Sequence, residues 1–369
     1  MKKIIICPDS FKGTMSSRET AEIIAKAFRD SWDGYETVCI PIADGGEGTV
    51  EAFGADIVRV SVSGPHFEKV DSFYGMLGDT AVIELAAAAG LPMTDPLDPE
   101  KTTTYGVGEL ILSALDKGCR KFIIGLGGSS TNDCGCGMAA ALGVKFYNRS
   151  GESFIPVGGT LSLVDRIDVS GIDPRIKDSA ITTMCDIDNP LYGEKGAAYV
   201  FAPQKGADET SVIKLDNGLR HIAEVIKSCL DTDVSEIRGG GAAGGCGAGT
   251  VAFLASSLKR GIDVVLDTSG FDELIKDASL IITGEGKFDS QSIDGKAVSG
   301  IAARAKKANA PLIVLAGAAV ESSEAYDMGV SAVFSIQRMA MPKEEAYLRN
   351  REDTYRTAFN LANLLKNFM

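Results

Sequence analysis

The chain has 369 residues, 45% hydrophobic and 24% charged, with a net charge of −13; this is an ordinary globular composition with length for roughly two domains. The acidic balance argues against nucleic acid or an anionic membrane as partner, and no apolar run is long enough for a membrane span or a signal-peptide core. Only two histidines, His66 and His221, are present, too few for a multi-histidine metal centre and a poor basis for a Ser-His-Asp hydrolase, while eight cysteines without a secretory signal fit a reducing cytoplasm.

In chain order, KKIIIC (Lys2–Cys7) reads as a strand, PDSFKGTM as its loop and SSRETAEIIAKAFRD as a helix. Ser16 and Glu19 have the spacing of a capping box, and Ile23, Ile24, Ala27 and Phe28 form the apolar stripe. TVCIPI (Thr37–Ile42) is a second strand running into ADGGEGT, with TVEAFGA as a helix start. From Arg59 to Ala86, RVSVSGP, FEKVDSFYGML and DTAVIELA alternate in polarity between tight turns, the pattern of an antiparallel meander. KFII (Lys121–Ile124) is an apolar strand leading to GLGGSSTND (Gly125–Asp133), CGCG and the helix MAAALG. Residues 145–205 read as short strands and loops, and NGLRHIAEVIKSCL is a helix that carries His221 on its surface. SLIITGEG is a strand, KFDSQSIDG a loop and KAVSGIAARAKKA a helix; PLIVLAG and SAVFSI are two more buried strands, and the C-terminal segment is helical packing.

Strand, polar loop and amphipathic helix in alternation indicate an α/β fold with a largely parallel sheet, whose ligands gather at the carboxyl ends of strands. The predicted organisation is two domains: a Rossmann-like domain made of residues 1–60 and 265–369, and a mixed α/β domain, 61–264, inserted within it, with an active-site cleft between them.

The motifs point to anion chemistry. GLGGSST offers amides and hydroxyls ahead of a helix, a set that suits phosphate oxygens; it reads equally as a tight turn with capping serines. No GxxxxGK[ST] is present. Gly239, Gly241 and Gly244 match GxGxxG, but the DTDVSEIR before them is a poor strand, so a dinucleotide site does not follow. Cys134 and Cys136 make a CxC without a second pair, better read as two small buried hydrophobes than as a zinc site. Acids cluster on strand-end loops: Asp44 and Glu47, then Asp186 and Asp188, which alternation places on one side of an extended segment, then Glu285 and Asp289. Lone loop acids usually cap or turn, yet together these suit Mg²⁺ and a base for a hydroxyl. Lys12, Lys205 and Lys287 are flanked by glycine or proline; each alone reads as a solvated lysine. The combined inventory is that of phosphoryl transfer in a small-molecule kinase.

PDSFKG, ADGGEGT, GLGGSSTND, CDIDNPL, FAPQKGA, GGGAAGG and GEGKFDSQSIDGK resemble, in order and spacing, the glycerate kinase type-1 family, over essentially the whole chain. The chain departs from that pattern at Cys134 and Cys136, and at Glu194-Lys195. The resemblance implies ATP- and Mg²⁺-dependent phosphorylation of D-glycerate at its 2-hydroxyl, giving 2-phosphoglycerate. On motif position and chemistry together, Gly127, Gly128, Ser129, Ser130 and Thr131 are expected on phosphate, with charge from Lys12, Lys205 and Lys287. Asp186 is expected at the substrate hydroxyl, with Asp188 second. Asp44 and Asp289 are candidates for Mg²⁺ or the substrate, and Asp133 for a ligand or a helix cap. A monomer or homodimer is anticipated. The other readings are a kinase of another small hydroxy acid or sugar acid, a nicotinamide-dependent dehydrogenase, and a catalytically silent glycerate sensor.

Overall fold

The computed structural model describes residues 1–11, 13–43, 45–289, 297–320 and 323–368. The chain divides into two compact units, one formed by Met1–Ala43 with Arg260–Met369 and the other by Asp44–Lys259. The sequence-based boundaries lie elsewhere, and the first differs by more than a dozen residues. Sheet pairing explains this: the strand Asp56–Ser63 hydrogen-bonds along its whole length to Lys69–Leu77 of the second unit, so residues 44–60 belong there.

The first unit is built on a five-stranded sheet in which every neighbouring pair is parallel. Its strands are β1 (Lys2–Ile6), β2 (Tyr35–Cys39), β12 (Leu280–Phe288), β13 (Leu312–Ala319) and β14 (Val330–Ser335), in the order β14-β13-β12-β1-β2. Alternate residues Ile4, Ile6, Leu280, Ile282, Ile313 and Leu315 share one core with Ile24 and Phe28 of helix Ser17–Ser31 and with Ala358 and Leu361 of helix Lys343–Leu365. Ser16 Oγ accepts from the amide of Glu19 at 3.2 Å, an N-cap. The Glu19 carboxylate does not complete the capping box; it pairs with Arg351 of the long C-terminal helix.

β12 runs further than the sequence suggests. Lys287 and Phe288, read as the start of the loop, stay extended, and Gly284–Phe288 pairs with Leu315–Ala319 of β13. The glycines in these two strands are needed for close approach: a Cβ on Gly284 would stand 2.2 Å from the Leu315 carbonyl oxygen, and one on Gly317 would stand 2.5 Å from that of Gly286.

In the second unit a six-stranded mixed sheet runs β11-β10-β6-β5-β4-β3. The meander β3 (Asp56–Ser63), β4 (Lys69–Leu77) and β5 (Thr80–Glu84) is antiparallel, while β5, β6 (Lys121–Gly125), β10 (Ala180–Met184) and β11 (Ser257–Lys259) are parallel neighbours. A separate three-stranded sheet is made of β7 (Lys145–Tyr147), β8 (Ser153–Phe154) and β9 (Arg166–Asp168), in the order β8-β7-β9. The core gathers Tyr74, Ile83, Ile111, Phe122, Ile124 and Leu219 among others.

Candidate active site

The site in the second unit begins at the carboxyl ends of three parallel strands. Glu84 of β5 lies opposite Gly125 of β6, and Gly125 lies opposite Met184 of β10. The chain leaving β6 is the 126–131 turn, and the chain leaving β10 carries Asp186 and Asp188. Adjacent strands are about 4.8 Å apart, so the glycine-rich turn and the two carboxylates share one end of one sheet.

Gly45 and Gly46 pack onto the same end. The Gly45 carbonyl accepts from the Gly127 amide at 2.9 Å. A Cβ on Gly125 would stand 2.3 Å from Gly45 O, and one on Gly127 would stand 2.5 Å from Gly46 Cα. These two glycines exist because backbone lies against backbone. Asp44 itself lies outside the described residues, as does Lys12. Beneath the loop sits a residue the sequence reading overlooked. Glu84 is buried at the end of β5 and accepts from the Val50 amide at 2.8 Å, with backbone bonds from Gly48 and Thr49 as well. Burial raises its pKa, which the backbone donors oppose. An acid closing an otherwise apolar strand, AVIE, was the available signal.

Within the 127–131 turn the groups divide. Ser130 is buried, and both its amide and its hydroxyl donate to Ala89 O, at 2.9 and 3.0 Å. Thr131 is buried too, and its Oγ1 has no hydrogen-bond partner among the described residues. Gly128 is exposed with φ +73°, and Ser129 adjoins it. Of residues 128–131 only Gly128 is exposed; Ser129, Ser130 and Thr131 are buried.

The helix that follows, Cys136–Ala141, does not offer a free N-terminus. Asp133 is fully buried and its carboxylate accepts from the amides of Gly135 and Gly137 at 3.1 and 3.2 Å, and from the amide and hydroxyl of Thr104 at 2.8 Å each. Of its two sequence-based roles, ligand or cap, the geometry is that of a cap. Burial raises its pKa, and those four donors oppose the shift. Cys134, where the resemblance is broken, takes φ +53°.

Lys205, predicted as a cationic contact, is 2% exposed and lies behind the turn. Its ammonium donates to Ser129 Oγ at 2.8 Å and to Thr131 O at 2.7 Å. Burial pulls its pKa down to about 8, which the Asp133 carboxylate opposes. Ser129 Oγ, accepting from the ammonium, keeps its own O–H as a donor.

Asp186 and Asp188 are both exposed on the extended segment after β10, with Ile187 half-buried between them, as alternation predicts. Asp188 receives Arg238, a second residue the sequence reading passed over. The guanidinium Nη2 donates to Asp188 Oδ2 at 2.6 Å and Nε donates to Oδ1. The glycine run after Arg238 holds this pairing in place. A Cβ on Gly239 would stand 2.7 Å from Cys185 Sγ, and one on Gly241 would stand 2.3 Å from Pro190 O. Further along, a Cβ on Gly244 would stand 2.0 Å from Thr131 O and one on Gly249 would stand 2.1 Å from Cys134 O. The three positions of the GxGxxG match therefore face the protein's own backbone or side chains, leaving no room for a pyrophosphate.

In the first unit, the PDS segment after β1 lies along β12, with the Asp9 amide donating to Gly284 O at 2.7 Å. Lys287 and Asp289 form an ion pair at 2.8 Å at the carboxyl end of β12. Among the described residues no three His, Cys, Asp or Glu side chains are grouped to hold a metal. Mg²⁺ is compatible with this donor set in the way usual for nucleotide-bound Mg²⁺, which needs only one or two carboxylates besides phosphate and water. No described helix is long and apolar enough to cross a membrane.

A model of the glycerate kinase family matches residues 4–366. The chain is 45% identical to a glycerate 2-kinase of Escherichia coli strain K12, over 98% of each chain. It is 47% identical to a glycerate kinase of Bacillus cereus, over 99% of this chain and 98% of that one. A crystal structure named as a glycerate kinase 2 from Salmonella typhimurium LT2 superposes with a TM-score of 0.89 at 43% identity, covering 99% of this chain and 98% of the other. With its strand-end loops, its α/β architecture and this full-length likeness, the chain belongs to the glycerate kinase family and is a kinase.

Proposed function

We propose that the protein transfers the terminal phosphoryl group of ATP to the 2-hydroxyl of D-glycerate, giving 2-phosphoglycerate and ADP. The observation that carries this reading is the shared sheet end: Gly125 and Met184 are register partners, so a glycine-serine turn and a pair of exposed carboxylates leave adjacent strands together. The names of the E. coli and Bacillus relatives supply glycerate as the acid, and that of the E. coli relative supports the 2-position.

Gly128 and the Ser129 hydroxyl are assigned to phosphate oxygens, with Lys205 donating to the Ser129 oxygen and Ser130 and Thr131 fixing the turn. Asp186 is assigned to the substrate hydroxyl, which it orients and deprotonates; Asp188, which holds Arg238, is the second candidate. Mg²⁺, when bound with the nucleotide, supplies charge neutralisation between phosphate oxygens; Asp289, beside Lys287, and Asp44 are its candidate protein ligands. Lys12 and Lys287 are assigned to anionic groups of the reactants. Eight unpaired thiols suit a reducing, cytoplasmic setting.

The role of Asp186 is tested by Asp186→Asn. The substitution preserves shape and removes the base, so kcat falls by about 10²- to 10⁴-fold while thermal stability is unchanged. Activity within about threefold of the parent protein removes Asp186 from that role.

A further inference from the structure

We propose that Arg238 grips the carboxylate of the acid substrate, with Asp188 acting as the positioning residue that sets the plane of its guanidinium. The inference rests on the reading of Asp186 as the group at the substrate hydroxyl.

The guanidinium has five N–H donors arranged along two usable edges. Asp188 occupies one edge, through Nε and Nη2. Among the described residues, Arg238 has no other hydrogen-bond partner in the structure, so the edge formed by Nη1 and the second Nη2 proton is presented outward. A guanidinium fixed on one side by a carboxylate offers the other side as a preoriented fork for a second carboxylate, the geometry of a bidentate charged pair.

The placement is built rather than incidental. Both ends of the pair are held by backbone: the Gly241 amide donates to Asn189 O at 3.0 Å, and the Cys185 thiol contacts the carbonyls of Ile187 and Gly239 at 3.3 and 3.6 Å. Gly239 has φ +80°, and a side chain there would collide with Cys185. The GGGAAGG run, which serves no nucleotide fingerprint, delivers Arg238 to the loop after β10.

The spacing fits a small hydroxy acid. In a 2-hydroxy acid the carboxylate and the hydroxyl sit on adjacent carbons, so the cation for one must neighbour the base for the other. Residues i and i+2 of an extended chain are about 6.6 Å apart, and Asp186 and Asp188 have that relation. Arg238, held by Asp188, is therefore tied to the same short loop that carries Asp186, the neighbourhood that a carboxylate and an adjacent hydroxyl require. The net charge of −13 adds the need for a local cation to admit such an anion.

The test compares the parent protein with Arg238→Met, Arg238→Lys and Asp188→Asn, using calorimetric binding of D-glycerate beside KM values for glycerate and for Mg-ATP. Loss of a bidentate charged contact predicts glycerate binding weaker by about 10- to 100-fold in Arg238→Met. KM for Mg-ATP stays within about twofold, and Arg238→Lys falls between the two. Asp188→Asn weakens glycerate in the same direction by less, and adds little on top of Arg238→Met, as expected for coupled residues. Unchanged glycerate affinity in Arg238→Met, or a rise confined to the KM for Mg-ATP, overturns the assignment while leaving the glycerate reading intact. A parent protein that neither binds nor phosphorylates glycerate overturns both.

Discussion

Lys205 places a cation where a surface lysine would be expected from its neighbours, Pro203 and Gly206, yet its ammonium is buried and bonded to Ser129 and Thr131. Its folded-state pKa is about 8, below the ordinary value of 10.5. Between those pH values the unfolded chain binds more protons than the folded one, so the lysine's contribution to stability rises with pH. The difference in Tm between the parent protein and Lys205→Met therefore increases from pH 8 to pH 10.5, read by calorimetry at matched ionic strength. A flat or falling difference contradicts the burial of a protonated lysine at neutral pH. Nothing in PQKG distinguishes such a lysine from a solvated one. The distinction comes from tertiary contact with a turn more than seventy residues earlier in sequence. Arg238 escaped notice for the same reason, since its partner Asp188 is fifty residues away. Asp133 was legible only in part: its place ahead of a helix left ligand and cap both open, and the donors from Thr104, 29 residues earlier, are tertiary.

At the scale of elements, the glycine run 239–249 braces two loops, touching 185–190 at its start and 131–134 further on. Gly241→Ala tests this, because φ there is ordinary, at −75°, and the obstacles are the carbonyl oxygens of Pro190 and Asn189, 2.3 and 3.1 Å from the new Cβ. A forced backbone shift of this kind costs about 1–3 kcal/mol, a fall in Tm of several degrees at about 2–4 °C per kcal/mol. Catalysis with glycerate falls further than stability alone explains, because the 185–190 loop moves. An unchanged Tm would show that the run is not a brace. The meander β3–β5 and the apolar strands of both sheets were readable because alternation and burial act locally on each strand. The extension of β12 through Lys287 and Phe288 was not, because what keeps these two residues extended is pairing with Ala318 and Ala319 of β13, a tertiary contact.

Across the whole molecule the inserted unit captures residues 44–60, which sequence grammar assigned to the outer one, because pairing with β4 decides where a strand belongs. Ligand response separates the enzyme classes weighed at the outset. Mg-ATP and D-glycerate each raise Tm, by an amount equivalent to about 2.7 kcal/mol at a hundred times Kd, and NAD(P)H leaves it unchanged. A shift with the nicotinamide and none with Mg-ATP reverses that assignment. The most direct measurement is phosphorus NMR of the reaction of D-glycerate with Mg-ATP. The account predicts the resonance of 2-phosphoglycerate appearing in step with ADP. A product phosphorylated at the 3-position, or ATP left intact beside unmodified glycerate, contradicts it.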